Sequence, residues 1–522
     1  MKKRFKKITV IAAAAAMILS LSGCNSQNVS ENENNTKENA DERVEISIAT
    51  WNADEGFVGD DVLKELEDKL NIKINPVNIT WDDFGQKIQL WASSSSLPDL
   101  FVGDFRNTST YAQWAEQGVV KEIPEDLSAY PVLEEYLSGQ SAKEAKINDS
   151  LYCIPRQSYP SQEWTSIDRF ISYRWDLAQE AGITKEPETW EEFQEMIKAI
   201  VAADPDGTGV GGTTAADKTL LGGLIMPYAS SIAADNGSAF KWVLADDGTY
   251  QPVYFHEDLV PAFQLARDMY ESGVIEKDIA LTTNQSAEEK FLQGKSAAIV
   301  MSGGFGNKYS TISRYWKEVH GTEYTDDVKA FCLAPDYNGN KAYPVWNYAW
   351  SESYINANVS DEKLDKILQL YDYLLTDEGA FLTTYGPEGM LYDMVDGKVQ
   401  MKNQGTLVKD TYPCADVFQN LVRWVPNVYD DRFPTDYPDA YNQVNLKIAE
   451  EAKDITIPEY FPECTQIVME LGLEFTVNFD DDFLNIMTGS KPVEKMWEDT
   501  VKQYESKGLE DVINQVNSAM KK

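Results

Sequence analysis

The stretch that decides the fold is VEISIATWNADEGFVGDDVLKELEDKLNIKINPVNI, residues 44–79, near the amino end of the chain. Residues 44–50 predict a strand. In the segment 60–70 that follows, apolar side chains recur at every fourth position, as they do on one face of a helix. Residues 72–79 predict a second strand. Because a strand, a helix and a strand in succession form a β-α-β unit, the stretch predicts an α/β fold.

The α/β pattern continues beyond this unit. Residues 100–102 form a short apolar run, which is typical of a strand that is buried on both faces. Thr189 and Glu192 form a capping box ahead of an amphipathic helix, and Ser360 can cap another. No repeat of 20 to 50 residues is visible, so solenoids and propellers are excluded.

Length and composition limit the classes of protein that the chain can represent. It has 522 residues, of which 43% are hydrophobic and 11% aromatic, enough for two or more cores and unlike a disordered chain. Its 85 acidic residues outnumber its 46 basic residues, and no basic block follows residue 7, which disfavours a nucleic acid partner. His256 and His320 are the only histidines, so a histidine-rich metal site is nearly excluded.

Residues 1–23 predict a signal peptide, because a basic start precedes an apolar run, residues 8–21, that is shorter than the ~20 residues of a membrane-spanning helix. The run closes on Leu21-Ser22-Gly23-Cys24, which resembles a bacterial lipobox. That resemblance implies cleavage before Cys24 and a diacylglycerol anchor on it, at the extracellular face of the membrane of a Gram-positive bacterium. The alternative is an ordinary secretory signal with a chance cysteine. Residues 24–43 contain one valine and no other large apolar residue, so they predict a flexible tether.

Seven motifs follow one another in a fixed order along the chain. They are Leu97-Pro98-Asp99-Leu100-Phe101, Trp114-Ala115-Glu116-Gln117-Gly118-Val119-Val120, Leu151-Tyr152-Cys153-Ile154-Pro155-Arg156, Pro187-Glu188-Thr189-Trp190-Glu191-Glu192-Phe193, Gly294-Lys295-Ser296-Ala297-Ala298, Tyr373-Leu374-Leu375-Thr376-Asp377-Glu378-Gly379 and Gly386-Pro387-Glu388-Gly389-Met390-Leu391-Tyr392. In this order they make the chain resemble the family-1 extracellular solute-binding proteins of bacterial ABC importers, the group of the maltose-binding protein. Each motif is weak alone, and the match thins to a generic helical tail beyond Tyr392. In the stretch 93–97 the chain departs from its relatives, which often have Gly-Asp before the Leu-Pro-Asp.

The resemblance implies an α/β, two-lobe periplasmic-binding-protein-like fold of type II, with a ligand cleft between the lobes and closure by hinge motion. We expect three chain crossings: after Ile154-Pro155, near residues 302–304 and near residues 351–354. These crossings divide the chain into a first lobe of residues 44–158 and 306–353 and a second lobe of residues 159–305 and 354–522. We also expect a monomer.

A cleft that binds a sugar needs flat rings for the apolar C–H faces and fixed polar groups for the hydroxyl rim. Residues of both kinds follow the predicted strands and crossings, where ligands of open α/β sheets lie. The expected ligand-binding residues are Trp51, Asn52, Asp104, Arg156, Gln157, Tyr159, Phe305, Trp346, Tyr348 and Trp350. Each aromatic residue among them could instead pack in a core, as we expect for Trp91, Trp114, Trp190 and Trp497 on predicted helix faces.

The segment 204–210 resembles the start of a calcium loop that some relatives carry. Asp204, Asp206, the Thr208 hydroxyl and the Val210 carbonyl would be its oxygen ligands. The alternative is a glycine-rich turn without a metal, because Gly212 and Thr213 stand where such loops usually offer an acidic pair. No other cofactor is expected.

The four remaining cysteines are scattered, with no Cys-x-x-Cys spacing for metal or redox work. They are expected to be small buried residues, although one disulfide is allowed in an exported protein. They are Cys153, Cys332, Cys414 and Cys464.

Together these features predict a lipid-anchored, non-enzymatic protein that captures a carbohydrate, expected to be an oligosaccharide, and delivers it to the permease of an ABC transporter. Two alternatives stay open. A glycan-cleaving lipoprotein would use two carboxylates ~5 to 9 Å apart, which the sequence cannot exclude, although no hydrolase motif is present. A binding protein that serves a membrane sensor would share every feature above.

Overall fold

A computed structural model of the chain describes the following residues: 43–51, 53–80, 83–159, 161–216, 220, 226–232, 241–305, 309–343, 349–403, 407–423, 439–457, 459–473 and 477–521. Cys24 and the predicted signal peptide lie outside them. So do Asn52, Trp346 and Tyr348.

The first sheet has five strands in the order β2-β1-β3-β11-β4. They are β1 (Val44–Trp51), β2 (Ile72–Ile79), β3 (Leu100–Gly103), β4 (Ile154–Gln157) and β11 (Ala349–Ile355). β1 runs parallel to β2 and β3, whereas β11 is antiparallel to both β3 and β4. The carboxyl ends of β1, β3 and β4 therefore meet the amino end of β11 at one edge of the sheet.

The helix between β1 and β2 shows why the sequence folds as predicted here. Asp60 caps it by accepting a hydrogen bond from the backbone N–H of Leu63, and Asn71 ends it in the left-handed conformation. Val62, Leu66 and other apolar residues of the same face are buried against the first sheet. The predicted β-α-β unit is thus present.

The second sheet has four strands in the order β10-β5-β9-β6. They are β5 (Arg169–Arg174), β6 (Gly211–Thr214), β9 (Ser296–Ser302) and β10 (Val328–Phe331). β5 is antiparallel to its two neighbours, and β6 is parallel to β9. Two hairpins complete the strands: β7 (Trp242–Leu244) with β8 (Tyr250–Pro252), and β12 (Tyr392–Val395) with β13 (Lys398–Met401).

Helices surround both sheets. Those of the described residues are Ala53–Gly56, Asp61–Leu70, Phe84–Ser93, Ser109–Glu116, Pro131–Leu137, Gln140–Lys143, Trp175–Glu180, Trp190–Ala203, Val260–Glu271, Asn284–Leu292, Arg314–His320, Tyr324–Asp327, Asp361–Leu375, Asp377–Tyr385, Val408–Thr411, Pro413–Val422, Asp439–Ala452, Pro462–Glu470, Phe479–Thr488, Val493–Glu505 and Leu509–Met520. Within these ranges no helix is long and apolar enough to cross a membrane.

Two lobes are present as predicted, but their boundaries differ from the prediction. The segment 306–353 is expected in the first lobe. It contains β10, which instead pairs with β5 of the second sheet. Helices Asp361–Leu375 and Pro413–Val422, expected in the second lobe, are buried in the core of the first sheet. Both placements depend on contacts between segments that lie far apart in the sequence. The periodicity of a segment does not indicate which distant segment it will contact.

Among the described elements, the chain passes from one lobe to the other at three places. It crosses between β4 and β5, between β10 and β11, and between residues 423 and 439. The crossing expected at residues 302–304 is absent, because the N–H groups of Gly303 and Gly304 donate to the carbonyls of Asp168 and Ile167 and keep the chain in the second lobe.

The cysteine and tryptophan predictions can be compared directly with the structure. All four described cysteines are free thiols, and three of them are buried, Cys332 being only partly so. Of the tryptophans expected in cores, Trp114 and Trp190 are buried, while Trp91 and Trp497 are partly buried against the cores of the first and second lobes.

Candidate functional site

The edge where the carboxyl ends of β1, β3 and β4 meet the amino end of β11 brings five of the predicted ligand-binding residues together. Trp51 ends β1, Asp104 directly follows β3, Arg156 and Gln157 end β4, and Trp350 lies near the start of β11. Four of them, Trp51, Asp104, Arg156 and Trp350, thus form one surface, while Gln157 points to the opposite face of β4.

Two tryptophans form the apolar part of this surface. The rings of Trp51 and Trp350 stack with centroids 5.8 Å apart and planes 14° apart. Phe84 supports Trp51 from the side in an edge-to-face contact at 5.6 Å. Trp51 is 6% exposed whereas Trp350 is 36% exposed, so Trp350 offers its ring to a ligand and Trp51 backs it.

Arg156 lies beside the tryptophan pair and is 2% exposed. Its guanidinium is 4.7 Å from the ring centroid of Trp350, and its Nε donates to the Trp350 carbonyl at 3.2 Å. Its Nη1 donates to the side-chain oxygen of Asn420 at 3.0 Å. Nη2 has no hydrogen-bond partner among the described residues, although it is buried. Desolvation lowers the pKa of Arg156 to about 10, so the group still carries its charge at neutral pH.

Asp104 also lies beside the tryptophan pair, where its carboxylate accepts a hydrogen bond from the indole N–H of Trp350. Its side chain keeps contact with solvent, yet protein surrounds it and the resulting desolvation raises its pKa. The charges of Arg106 and Arg156 oppose this rise. Because the carboxylate is accessible to solvent and yet largely surrounded by protein, it lies in a concave site, where it can accept hydrogen bonds from hydroxyl groups of a ligand.

Helix Pro413–Val422 contributes residues that the sequence analysis missed. A cavity of about 430 Å³ lies between this helix and the end of β1, and Trp51, Arg156, Asp416 and Asn420 are among its lining residues. Asp410 also lines it and forms a 3.5 Å ion pair with Arg314 of the second lobe, so the cavity opens at the boundary between the lobes. The helix lies in the part of the chain where the resemblance thins to a generic helical tail, and nothing in its sequence indicates on which lobe it packs.

A second cavity, of about 630 Å³, lies on the other side of β4. Successive residues of a strand point to opposite faces, so Gln157 faces this cavity while Arg156 faces the first. The hydroxyl of Tyr136 fixes the end of β4, accepting the Gln157 N–H at 2.8 Å and donating to the Pro155 carbonyl at 2.6 Å. Tyr460 of the second lobe completes the wall.

Two predicted ligand-binding residues lie elsewhere. Phe305 is 1% exposed in the core of the second lobe, where its ring contacts Phe170 and Tyr324 and its N–H donates to Asn445 at 2.7 Å. Tyr159 is also 1% exposed and packs in a small cluster with Ile167. The prediction that these two rings contact a ligand is therefore wrong for this conformation, because neither reaches the surface of the cleft.

Strand β11 contains an irregularity next to Trp350, and a buried carboxylate follows it. The pairing register of β11 with β4 shifts between Ala349 and Glu352, and Ser351 has a positive φ of 62°. Glu352 follows it, 1% exposed, and accepts hydrogen bonds from the Phe105 N–H and the Tyr354 hydroxyl. Desolvation, reinforced by the charge of Asp104, raises the pKa of Glu352 to about 7.

The segment 204–210 forms a turn whose side chains are engaged within the protein. Asp204 accepts hydrogen bonds from the N–H groups of Gly209 and Val210, and the Thr208 hydroxyl donates to the Gly294 carbonyl. Asp206 is 4.0 Å from the guanidinium of Arg174. Nowhere in the described ranges do three His, Cys, Asp or Glu side chains meet with metal-site geometry.

Comparison with known proteins places this site in context. The family model described as bacterial extracellular solute-binding protein matches residues 58–381. Lipoprotein LipO of Bacillus subtilis is 22% identical over 409 residues, which are 76% of this chain and 76% of LipO. The polygalacturonan/rhamnogalacturonan-binding protein YtcQ of the same organism is 22% identical over 99% of this chain and 98% of its own.

The fold of this chain is also similar to those of solved protein structures. The Streptococcus pneumoniae ABC-transporter substrate binding protein FusA, in complex with kestose, superposes with a TM-score of 0.68 at 16% identity, over 91% of this chain and 98% of that one. This likeness supports the two-lobe fold described above.

Proposed function

The chain belongs to the bacterial extracellular solute-binding proteins, and we propose that it binds an oligosaccharide in the cleft between its two lobes. Family members and structural neighbours are binding proteins and not enzymes. The same role is proposed here for this chain, without turnover of the ligand.

The observation that carries the proposal is the stacked pair of Trp51 and Trp350 with Arg156 and Asp104 beside it. A sugar needs a flat apolar surface next to fixed donors and acceptors, and this edge of the first sheet supplies all three. The two cavities on either side of β4 leave room for more than one sugar unit.

We further propose that the protein delivers the bound oligosaccharide to the permease of an ABC importer. A lipid on Cys24 would anchor the protein to the membrane. FusA is named as an ABC-transporter protein and LipO as a lipoprotein, which supports both steps. A structural calcium ion at residues 204–210 is part of the proposal as well, since the FusA structures include an EF-hand mutant.

The experiment is a thermal-shift screen of the purified protein against neutral and acidic oligosaccharides, followed by titration calorimetry on the best ligand. A ligand at ~100 times its Kd should stabilise the folded protein by about 2.7 kcal/mol. No stabilisation by any oligosaccharide would refute sugar binding. New reducing ends after overnight incubation with the best ligand, above a buffer control, would replace binding by hydrolysis.

A further inference from the structure

The charge of the cleft indicates which oligosaccharides it takes. Arg156 is the one buried cation among the described residues that line the cavity of about 430 Å³. Three carboxylates already act on it, because Asp104, Asp416 and Glu352 all oppose the lowering of its pKa. Its charge is therefore balanced within the protein, while its Nη2 N–H group still lacks an acceptor.

The carboxylates of the cavity outnumber its cations. Of the described residues that line it, Glu55, Asp410 and Asp416 are acidic and Arg156 and Lys409 are basic. Asp410 is also paired with Arg314 of the second lobe at 3.5 Å. Asp416 resembles Asp104 in that it is exposed yet desolvated, and this desolvation raises its pKa against the opposing charges of Lys409 and Arg156. A further carboxylate brought in by a ligand would meet repulsion that solvent screens poorly in such a concave site.

The second cavity has the same character. The described residues that line it include one acid, Glu135, and neither a lysine nor an arginine. Its remaining polar groups are neutral and belong to Tyr136, Gln140, Gln157 and other residues. Among the described residues that line the two cavities, a chain of uronate residues would thus meet only Arg156 and the exposed Lys409 as cations, and the charges of both already act on Asp416.

We propose that the cleft selects an uncharged oligosaccharide, with Nη2 of Arg156 donating to a sugar oxygen and Asp416 accepting a sugar hydroxyl. This inference rests on the proposed function and narrows its ligand class. It separates this chain from YtcQ, whose name describes a binder of polygalacturonan and rhamnogalacturonan.

Matched ligand pairs test the proposal on the full mature protein. One pair is fully methyl-esterified and de-esterified oligogalacturonide of equal length, and another is alginate oligosaccharide and its carboxyl-reduced form. We expect the neutral member of any pair that binds, measured by calorimetry, to bind at least tenfold more tightly. Weak binding of the acidic member should strengthen as salt rises, because salt screens repulsion.

Equal or tighter binding of acidic members, or an affinity for them that weakens with salt, would overturn the inference and leave sugar binding intact. If neither these pairs nor a wider panel of neutral oligosaccharides binds, the proposed function fails together with the inference.

A variant locates the effect within the cleft. Asp416→Asn removes one carboxylate from an exposed helix position and should reduce the preference for neutral ligands at least threefold. Asp126→Asn is the matched control, since Asp126 is exposed on a loop that pairs near Leu151, before β4 begins, and should leave the preference unchanged. An Asp416→Asn variant with unaltered preference would contradict the assignment of Asp416.

Discussion

Replacing Trp350 by Ala tests the site most directly. The side chain is 36% exposed, which for a tryptophan of roughly 250 Å² leaves about 90 Å² for a ligand to cover. At ~25 cal/mol per Å² this area contributes about 2 kcal/mol, and a stacked ring adds ~0.5 to 1.5 kcal/mol. We therefore expect at least a tenfold loss of affinity, ~1.4 kcal/mol, for the best oligosaccharide.

The unliganded variant should keep its fold. The Trp350 backbone N–H donates to Ser158 and its carbonyl accepts from Arg156, and both contacts survive truncation of the side chain. The side chain itself contributes the cation–π contact with Arg156, ~0.5 to 2 kcal/mol, together with its stacking on Trp51. Truncation also removes the buried part of the ring, so the variant should unfold at a lower temperature than wild type, and its affinity is measured at temperatures where it is folded.

Trp190→Ala is the matched control, because Trp190 is 2% exposed and packs edge-to-face on Phe331 at 5.2 Å in the second lobe. It should lower the melting temperature strongly and leave the affinity unchanged at temperatures where the protein is folded. Calorimetry and thermal unfolding on both variants decide the matter. An unchanged Kd in Trp350→Ala would refute the assignment of the ligand surface to this edge of the sheet.

Three further outcomes are expected. Burial and the charge of Asp104 raise the pKa of Glu352 from 4.5 to about 7, so the folded protein holds this proton more tightly than the unfolded chain does. As the pH rises from 4.5 to about 7, wild type should therefore lose folding stability relative to Glu352→Gln. The expected loss is about 3 kcal/mol. Urea unfolding between pH 4.5 and 8 measures this, and parallel stability curves would contradict it. Asp204→Ala should abolish any rise in melting temperature that Ca²⁺ produces, and a wild type indifferent to both Ca²⁺ and EDTA would remove the site. Cys24→Ala should yield an uncleaved or released protein without lipid, and mass spectrometry that finds no acyl group on wild-type Cys24 would refute the anchor.

Local signals were sufficient for much of the fold. The helix at residues 61–70, the buried strand at residues 100–103 and the helix capped by Thr189 all follow from periodicity and capping, which act within a few residues. The lobe boundaries did not follow, since β11 inserts between β3 and β4 from about 190 residues away along the chain. A strand's own sequence does not reveal which neighbours it will have.

The candidate site was predictable where a residue type and a strand end coincide. Trp51, Asp104, Arg156 and Trp350 meet this condition, and the structure brings them together. Phe305 also follows a strand, but the pair Gly303 and Gly304 turns the chain back into the second lobe and buries the ring. Asp416 and Asn420 could not be found, because helical periodicity identifies the buried face of their helix and not the partner it packs on.

The insertion of β11 between β3 and β4 also has a consequence for the order in which the protein matures. The strands of the second sheet lie in one uninterrupted segment, residues 169–331, whereas the first sheet needs residues 44–157 and then residues 349–355. As the chain emerges from its amino end, β4 has no neighbour to pair with until β11 has appeared, and the core of the first sheet also requires helices up to residue 422. The sheet that begins first along the polypeptide is therefore completed last, and its unfinished part exposes the edges of β3 and β4 while all four strands of the second sheet are already present. The core around the second sheet is filled later still, because it takes helices up to residue 509.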